Sequence, residues 1–232
     1  MGARKPLMCL DGVPLLLHTL HRLCMARGCL QLVLAVHPDD IDDIRTCTEG
    51  LFAVSSAPPP TTIVEGGANR QESVMKALEA TDPEAPLVLI HDAVRPLLRV
   101  EVVEAVARRA AESGAAIAAV PALATIKEVD GRGLIRSTPP RDRLWMAQTP
   151  QGFRRELALE AHRGARSEGF VGTDDAILAE RLGHPVSVVR DRPDNIKITN
   201  PEDLAVAEAI LAWQRRQGLP EAQPLSAPPP GP

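Results

Sequence analysis

Near the middle of the chain stands the run Leu87-Val88-Leu89-Ile90-His91-Asp92-Ala93-Val94-Arg95-Pro96. Its leading apolar residues predict a strand buried on both faces, as in a parallel sheet that helices cover. The run then becomes polar, and Pro96 cannot continue a strand. Because ligands of parallel α/β sheets bind just beyond the carboxyl ends of the strands, Asp92 and Arg95 are candidate site residues. The structural alternative is that Asp92 caps a turn and Arg95 is a solvated surface charge.

Strand patterns and helical patterns alternate on both sides of this run. Further strands are predicted at residues 30–36, 61–64, 115–120 and 186–189. Helices are predicted at residues 13–27, 39–46, 100–113, 153–166, 174–182 and 201–214, and by the apolar spacing of Val74, Ala77 and Leu78. This alternation indicates an α/β fold built on a doubly wound, mostly parallel sheet.

A β-hairpin is predicted where this rhythm breaks, at residues 124–137, around the turn Asp130-Gly131-Arg132-Gly133. Such a hairpin has little core of its own, so we expect an arm, about residues 122–140, that packs on another subunit or closes over a site. Residues 1–218 are expected to form a single domain. Residues 219–232 are rich in Pro and Ala, and we expect a disordered tail there.

Composition excludes several classes of function. The formal net charge of -4 and the aromatic content of 2% argue against a partner that is nucleic acid. The four cysteines show no Cys-x-x-Cys pair, so neither a zinc site nor any other protein-built metal site is predicted. No apolar run approaches the ~20 residues of a membrane helix, and we expect a soluble, cytoplasmic protein.

The first candidate site outside the central run is the glycine turn Gly66-Gly67-Ala68-Asn69-Arg70-Gln71-Glu72-Ser73, between a predicted strand and a predicted helix. Glycine lets the backbone approach a ligand closely, and the amino terminus of a helix favours anions. Gly66, Gly67 and Ser73 are therefore candidate ligand-binding residues. The alternative is a plain glycine turn.

Two later stretches carry cations. Arg141 and Arg143 precede Trp145 and a polar turn predicted at residues 148–151, and arginine can hold a phosphate with two parallel donors. The alternative is a core Trp with surface arginines. Lys197 lies between two isoleucines in a strand-like alternation, and a lysine on such a strand needs a charged partner or a ligand. Residues 199–203 also fit a plain helix start.

Other residues are assigned structural roles. His91 is expected to support the turn rather than to bind a metal. Asp174 and Asp175 precede an apolar run and are interpreted first as a helix N-cap. A Ser-His-Asp triad is not supported, because no Gly-x-Ser-x-Gly elbow occurs.

Taken together, ordered motifs from about Lys5 to Leu211 closely resemble the 2-C-methyl-D-erythritol 4-phosphate cytidylyltransferase family of the non-mevalonate isoprenoid pathway. The matching residues are Lys5 with Pro14-Leu15-Leu16, Glu65-Gly66-Gly67, Arg70, Ser73-Val74, His91-Asp92-Ala93, Arg95-Pro96, Thr125-Ile126-Lys127, Arg141, Leu144-Trp145, Gln148-Thr149-Pro150-Gln151, Thr173-Asp174-Asp175-Ala176, Asp194-Asn195-Ile196-Lys197 and Pro201-Glu202-Asp203-Leu204. The resemblance implies a Rossmann-like nucleotidyltransferase fold.

The resemblance also implies a reaction, in which the substrate's phosphate attacks the α-phosphorus of CTP and releases pyrophosphate, with Mg²⁺ carried mainly by the CTP phosphates. Such chemistry depends on positioning and charge neutralisation. It implies catalytic roles for Lys5, Arg141 and Lys197. It implies substrate-binding roles for Arg95, Thr125, Thr149 and Asp92, and nucleotide-binding roles for Gly66, Gly67, Ser73 and Asp92. It further implies a homodimer in which the hairpin arm helps to form the neighbour's site.

The chain departs from this family at its amino terminus. The family begins with a buried strand and a loop of the type Ala-Ala-Gly-x-Gly-x-Arg, whose amides cradle the triphosphate, whereas this sequence starts where that loop ends. We therefore expect strand 87–90 to have one unpaired edge, and the chain to bind CTP poorly and turn over slowly. An assay of this chain beside a version extended upstream would test that expectation, which full activity without the extension would contradict.

Two alternatives remain at the sequence level. Related sequences share the nucleotide side with ribitol 5-phosphate cytidylyltransferases, although Arg141, Thr125 and Lys197 together favour methylerythritol phosphate. A catalytically weak binding or regulatory relative is the alternative from another class, and only the departure at the amino terminus supports it. A comparison of the two acceptor substrates separates the first alternative, and the coding sequence upstream of Met1 separates the second.

Overall fold

A computed structural model describes residues 5–53 and 59–218. The tail expected at residues 219–232 lies outside the described residues. The helices are α1 Leu15–Met25, α2 Ile41–Ala53, α3 Arg70–Glu79, α4 Val100–Ser113, α5 Arg155–Ser167, α6 Ala176–Arg181 and α7 Pro201–Arg216. The strands are β1 Cys9–Leu10, β2 Val13–Pro14, β3 Leu32–Val36, β4 Thr61–Glu65, β5 Leu87–Ile90, β6 Ala115–Pro121, β7 Glu128–Val129, β8 Ile135–Ser137, β9 Trp145–Arg154 and β10 Ser187–Arg190. No helix of the described part is both long and apolar enough to cross a membrane.

The main sheet has the strand order β10-β6-β9-β5. Strand β10 pairs parallel with β6, whereas β9 is antiparallel to both of its neighbours, so β5, β6 and β10 run in the same direction. A second parallel pair, β3-β4, lies apart from this sheet. Within residues 5–53 and 59–218, no strand pairs with the second edge of β5 or of β3, as expected for β5. The α/β class and the mostly parallel direction are confirmed.

Helices cover both faces of the main sheet. Side chains along a strand alternate between the two faces, and here both sets are apolar and pack against helices. Val88 and Phe153 pack with Leu78, Leu157 and other side chains of α3, α5 and α6. Leu87 and Leu89 instead pack with α4. Gly152 allows the closest approach of α4, since a Cβ there would meet Val106 at 3.0 Å.

Strand β9 corrects the sequence analysis. Residues 148–151 were predicted to form a turn, and a helix was predicted from residue 153, but the strand continues to Arg154 and the helix begins at Arg155. Pro150 is the reason for the wrong prediction, since proline is normally excluded from a central strand. Here the register between β6 and β9 shifts between Ile117 and Ala119, opposite Pro150, so the irregularity removes the need for a ladder hydrogen bond.

The predicted hairpin arm is present. Strands β7 and β8 pair antiparallel, and all their residues are exposed. The arm carries large apolar side chains into solvent, with Val129 53%, Leu134 63% and Ile135 62% exposed. The prediction of a strand around Lys197 was wrong, because residues 194–200 form a loop and no strand.

Candidate active site

The carboxyl end of β5 passes into a turn that hydrogen bonds fix at several points. The Thr149 hydroxyl accepts the backbone N–H of Asp92 at 3.1 Å and lies 3.0 Å from His91 Nδ1. His91 Nε2 lies 3.3 Å from the backbone carbonyl of Arg95. Burial lowers the pKa of His91 to about 4, so its ring is neutral near pH 7, donates from Nε2 and accepts at Nδ1. His91 therefore supports the turn, as the sequence predicted.

Asp92 is the centre of a charged cluster at this end of β5. Its Oδ1 accepts from Arg70 Nε at 3.1 Å, and its Oδ2 lies 3.0 Å from Lys197 Nζ and 3.7 Å from Arg95 Nε. Burial alone would raise the pKa of Asp92, but the charges of Arg70 and Lys197 outweigh it and lower that pKa to about 2. Asp92 is therefore an anion that orients three cations. We call Arg70, Asp92, Arg95 and Lys197 the Asp92 cluster.

The loop that carries Lys197 is held rigidly, although it is not a strand. Asn195 is fully buried, and its Nδ2 donates to the backbone carbonyl of Thr149 and to Asp191. The N–H of Ile198 donates to the carbonyl of Val94 at 2.9 Å, which ties this loop to the turn after β5. Lys197 itself is 42% exposed, so its ammonium group reaches Asp92 while it remains open to solvent. This position suits the binding of an anion.

A helix cap follows Lys197 directly. Asn200 and Asp203 form a capping box at the start of α7, and Thr199 donates to Asp203 from both its N–H and its hydroxyl. These residues have the structural role that the sequence offered as an alternative. The cap fixes the direction in which α7 leaves the site.

The glycine turn after β4 is organised by Ser73. Its hydroxyl accepts the N–H of Gly67 at 2.9 Å and donates to the carbonyl of Asn69 at 2.8 Å, so it shapes the loop. Asn69 is the N-cap of α3 and accepts the N–H of Glu72. A Cβ on Gly67 would clash with the Cβ of Glu72, so the turn requires glycine there.

The predicted site residues Lys5, Thr125 and Arg141 stand at exposed positions outside the Asp92 cluster. Lys5 is exposed in a short 3-10 turn, and Thr125 is exposed in the arm. Arg141 is exposed and donates to the carbonyl of Leu123 at 3.1 Å, at the base of the arm. No hydrogen bond or ion pair of the described residues joins these three to the cluster.

Two charged residues of this region, Arg70 and Asp175, were assigned no site role from the sequence. Arg70 stands in the first turn of α3 and bridges Asp92 and Asp175, which it meets with Nη2 at 2.7 Å. Burial lowers the pKa of Arg70, but the two carboxylates outweigh it and raise that pKa. A signal was available, since a cation in the first turn of a helix opposes the helix dipole and so needs anionic partners.

The chemistry of this region fits phosphate oxygens better than a metal ion bound by side chains. Asp92 already shares its oxygens with cations, and the described residues include no group of three or more His, Cys, Asp or Glu side chains that could hold a metal ion. The ammonium of Lys197 and the guanidinium groups of Arg95 and Arg70 can neutralise the charge of a phosphate. The arrangement can therefore bind and orient phosphate esters at the end of β5.

Comparison with known proteins gives a consistent result. The family model described as 2-C-methyl-D-erythritol 4-phosphate cytidylyltransferase matches residues 1–213. A protein of that name from Solibacter usitatus is 42% identical over 213 residues, which cover 90% of this chain and 85% of the relative. The one from Symbiobacterium thermophilum is 40% identical over 216 residues, with 93% and 88% covered.

Solved structures agree with the relatives. The 4-diphosphocytidyl-2C-methyl-D-erythritol synthase of Anaerococcus prevotii superposes with a TM-score of 0.83 at 30% identity, covering 91% of each chain. The 2-C-methyl-D-erythritol 4-phosphate cytidylyltransferase of Thermus thermophilus superposes with a TM-score of 0.72 at 35% identity, covering 90% of this chain and 94% of that one. Sequence and structure therefore point to the same group of proteins.

Proposed function

The chain belongs to the 2-C-methyl-D-erythritol 4-phosphate cytidylyltransferase family, and from this premise we propose how its residues carry out the transfer. It is a nucleotidyltransferase that moves CMP from CTP to 2-C-methyl-D-erythritol 4-phosphate in isoprenoid precursor biosynthesis. A phosphate oxygen of the acceptor attacks the α-phosphorus of CTP. The bond from that phosphorus to the bridging oxygen breaks, and pyrophosphate leaves with the electron pair.

The observation that supports these roles most strongly is the Asp92 cluster. Lys197 and Arg95 bind the phosphate of methylerythritol phosphate, and Asp92 holds them in place before the substrate arrives. The 42% exposure of Lys197 beside a buried carboxylate supports this assignment. Thr149 is 4% exposed and acts through the turn that it anchors, rather than by direct contact with phosphate.

The nucleotide is bound on the side of the glycine turn. Gly66, Gly67 and Ser73 form the surface for the cytosine and its ribose, and Asp92 lies between that surface and the acceptor. Lys5 neutralises charge on the triphosphate during the transfer. A divalent cation, Mg²⁺, enters with the CTP phosphates and screens their charge, since Mg²⁺ is usually bound through substrate phosphates.

Arg141 and Thr125 act in the site of a second subunit. They lie on or beside the hairpin arm, and no hydrogen bond or ion pair of the described residues joins them to the Asp92 cluster of their own chain. The exposed apolar side chains of the arm support a homodimer, because a lone hairpin of this kind gains stability only against another surface. The cysteines, unpaired in the described residues, suit the reducing cytoplasm that we propose as the location.

The test is formation of the cytidylyl product and pyrophosphate from CTP and methylerythritol phosphate. We expect Lys197→Met to lower kcat/KM roughly a hundredfold, equivalent to about 3 kcal/mol, as for a lost charged contact to substrate. Arg108→Met removes an exposed cation on α4 and is the matched control, which should keep wild-type kcat/KM. A Lys197→Met protein with unchanged kcat/KM would contradict the assignment.

A further inference from the structure

Beside the Asp92 cluster lies a second, fully buried carboxylate, Asp175, which Arg70 links to Asp92. We propose that Asp175 is a positioning residue: by holding one arm of Arg70, it fixes the carboxylate of Asp92 and so the ammonium of Lys197 that receives the acceptor phosphate. This proposal rests on the proposed function, because it concerns how the same site binds its acceptor. Under this proposal Asp175 contributes to acceptor binding although it does not touch the substrate.

Among the described residues, Arg70 is the one side chain that donates a hydrogen bond to the carboxylate of Asp175. Its side chain is 2% exposed, and Oδ2 accepts from Arg70 Nη2 at 2.7 Å. His162 Nε2 lies 3.3 Å from Oδ1, but neither atom has a hydrogen-bond partner, so the two groups are close without the alignment of a hydrogen bond. A buried carboxylate gains more from a charged donor than from a neutral one. Asp175 and Arg70 therefore hold each other in one arrangement.

The backbone of Asp175 is fixed independently of its side chain. The N–H groups of Asp175 and Ala176 both donate to Oε1 of Gln151, which is 1% exposed. The carboxylate thus stands on an anchored segment. It is not needed to cap α6, because its side chain makes no capping bond, and Asp174 accepts the N–H of Ile177 instead.

Arg70 transmits this position to Asp92 because a guanidinium group is rigid and planar. Its Nη2 contacts Asp175 while its Nε contacts Oδ1 of Asp92. Oδ2 of Asp92 is left for Lys197, at 3.0 Å. If Asp175 loses its charge, the freed arm of Arg70 can turn onto Asp92 as a bidentate pair. That pair would take Oδ2 from Lys197 and displace the ammonium group.

The predicted kinetic signature is specific to the acceptor. Asp175→Asn should raise KM for methylerythritol phosphate at least tenfold and leave KM for CTP within twofold. Asp175→Glu keeps the charge and should return the acceptor KM to within about threefold of wild type.

Two further variants separate positioning from folding. Leu178→Ala opens a cavity in α6, the helix that follows Asp175, on the side that packs against Ala161 and Ala165, so it should lower Tm and leave both KM values unchanged. Arg70→Lys should raise the acceptor KM as Asp175→Asn does, and the double variant should show no further rise. Equal increases in both KM values, additive effects of the two substitutions, or an unchanged acceptor KM in a folded Asp175→Asn protein would overturn the proposal.

A substrate-free measurement keeps this test distinct from the proposed function. Asp175 and Lys197 do not touch, so their substitutions should affect stability independently unless Arg70 and Asp92 couple them. We expect the Tm losses of Asp175→Asn and Lys197→Met to be clearly non-additive. Additive Tm losses would overturn the proposed coupling of Asp175 to Lys197 even in an active enzyme. Absence of transfer by the wild type would instead contradict the proposed function.

Discussion

At the residue scale, the position of a cation depends on a carboxylate that lies far from it in the chain. Asp92 contacts Lys197, which is remote in sequence, and Arg70, which stands on α3. Asp92, Arg95 and Lys197 were each recognisable in the sequence as site candidates, since each charge follows or interrupts an apolar run. It could not pair them, because pairing depends on how the loop around Asn195 packs on the turn after β5. Asp175 was interpreted as a helix cap for the same reason.

His91 gives a prediction about pH at this scale. Burial lowers its pKa from 6.5 to about 4, so between these values the unfolded chain binds a proton that the folded protein does not. The free energy of unfolding should therefore decrease as pH falls from about 6.5 to about 4, by about 3 kcal/mol from this residue. Urea unfolding of the wild type and of His91→Asn across this range measures the difference. An equal pH dependence in both proteins would contradict the assignment.

Asp92 gives a second prediction about pH, in a lower range. The charges of Arg70 and Lys197 hold its pKa at about 2 against the effect of burial, below the ordinary value of 3.8. Its contribution is present above about pH 4 and is lost as pH falls towards 2, with a total of about 2 kcal/mol. Asp92→Asn should remove this part of the acid sensitivity in the same urea experiment. A steep loss between pH 4 and 2 that persists in the variant would assign it to other carboxylates.

At the element scale, the glycine turn is the segment most sensitive to one added methyl group. A Cβ on Gly67 would clash with Glu72, and relief of the clash must move the start of α3. We expect Gly67→Ala to raise KM for CTP about tenfold or more, since a shift of this kind costs about 1–3 kcal/mol. Gly164→Ala in α5 is the control, because a Cβ there would meet only Leu182 Cδ2, at an ordinary contact distance of 3.8 Å. A tenfold change in the control, or none in Gly67→Ala, would contradict this account.

The hairpin arm gives a second prediction about an element. Ile135 is 62% exposed, so Ile135→Lys should change the free energy of unfolding of an isolated chain by less than about 0.5 kcal/mol. In a homodimer held by the arm, the same substitution places a charge in an apolar contact and should shift the protein to monomers. Sedimentation equilibrium measures this shift. A wild-type monomer, or an Ile135→Lys dimer of unchanged affinity, would contradict the proposed role of the arm.

Elements with clear periodicity were predictable, and β9 was not. The strand Leu87–Ile90 and the helix Val100–Ser113 agree with their predicted bounds, because apolar spacing and flanking breakers coincide there. Strand β9 contains Pro150 and a polar Gln-Thr-Pro-Gln run, which are local signals for a turn. Pairing with β5 and β6 on both sides overrides those signals, and the register shift opposite Pro150 removes the conflict.

At the scale of the whole molecule, the fold brings loops from the main sheet and from the separate β3-β4 pair together at the carboxyl end of β5. The turn after β5, the glycine turn after β4 and the loop after β10 supply the residues that we propose bind the substrates, and the segment before α6 supplies Asp175. Alternating strands and helices were sufficient to predict this class of fold. The antiparallel strand between β5 and β6 follows from tertiary pairing, which a single sequence does not show.

The choice of acceptor distinguishes the proposed reaction from its ribitol 5-phosphate alternative. One preparation is given CTP with either methylerythritol phosphate or ribitol 5-phosphate, and pyrophosphate release and the cytidylyl product are followed for each. The ratio of the two kcat/KM values compares acceptors on the same enzyme, so it does not depend on the absolute rate. We expect methylerythritol phosphate to be preferred by a factor of at least about a hundred, equivalent to about 3 kcal/mol. Preference for ribitol 5-phosphate, or no transfer to either acceptor, would contradict the account.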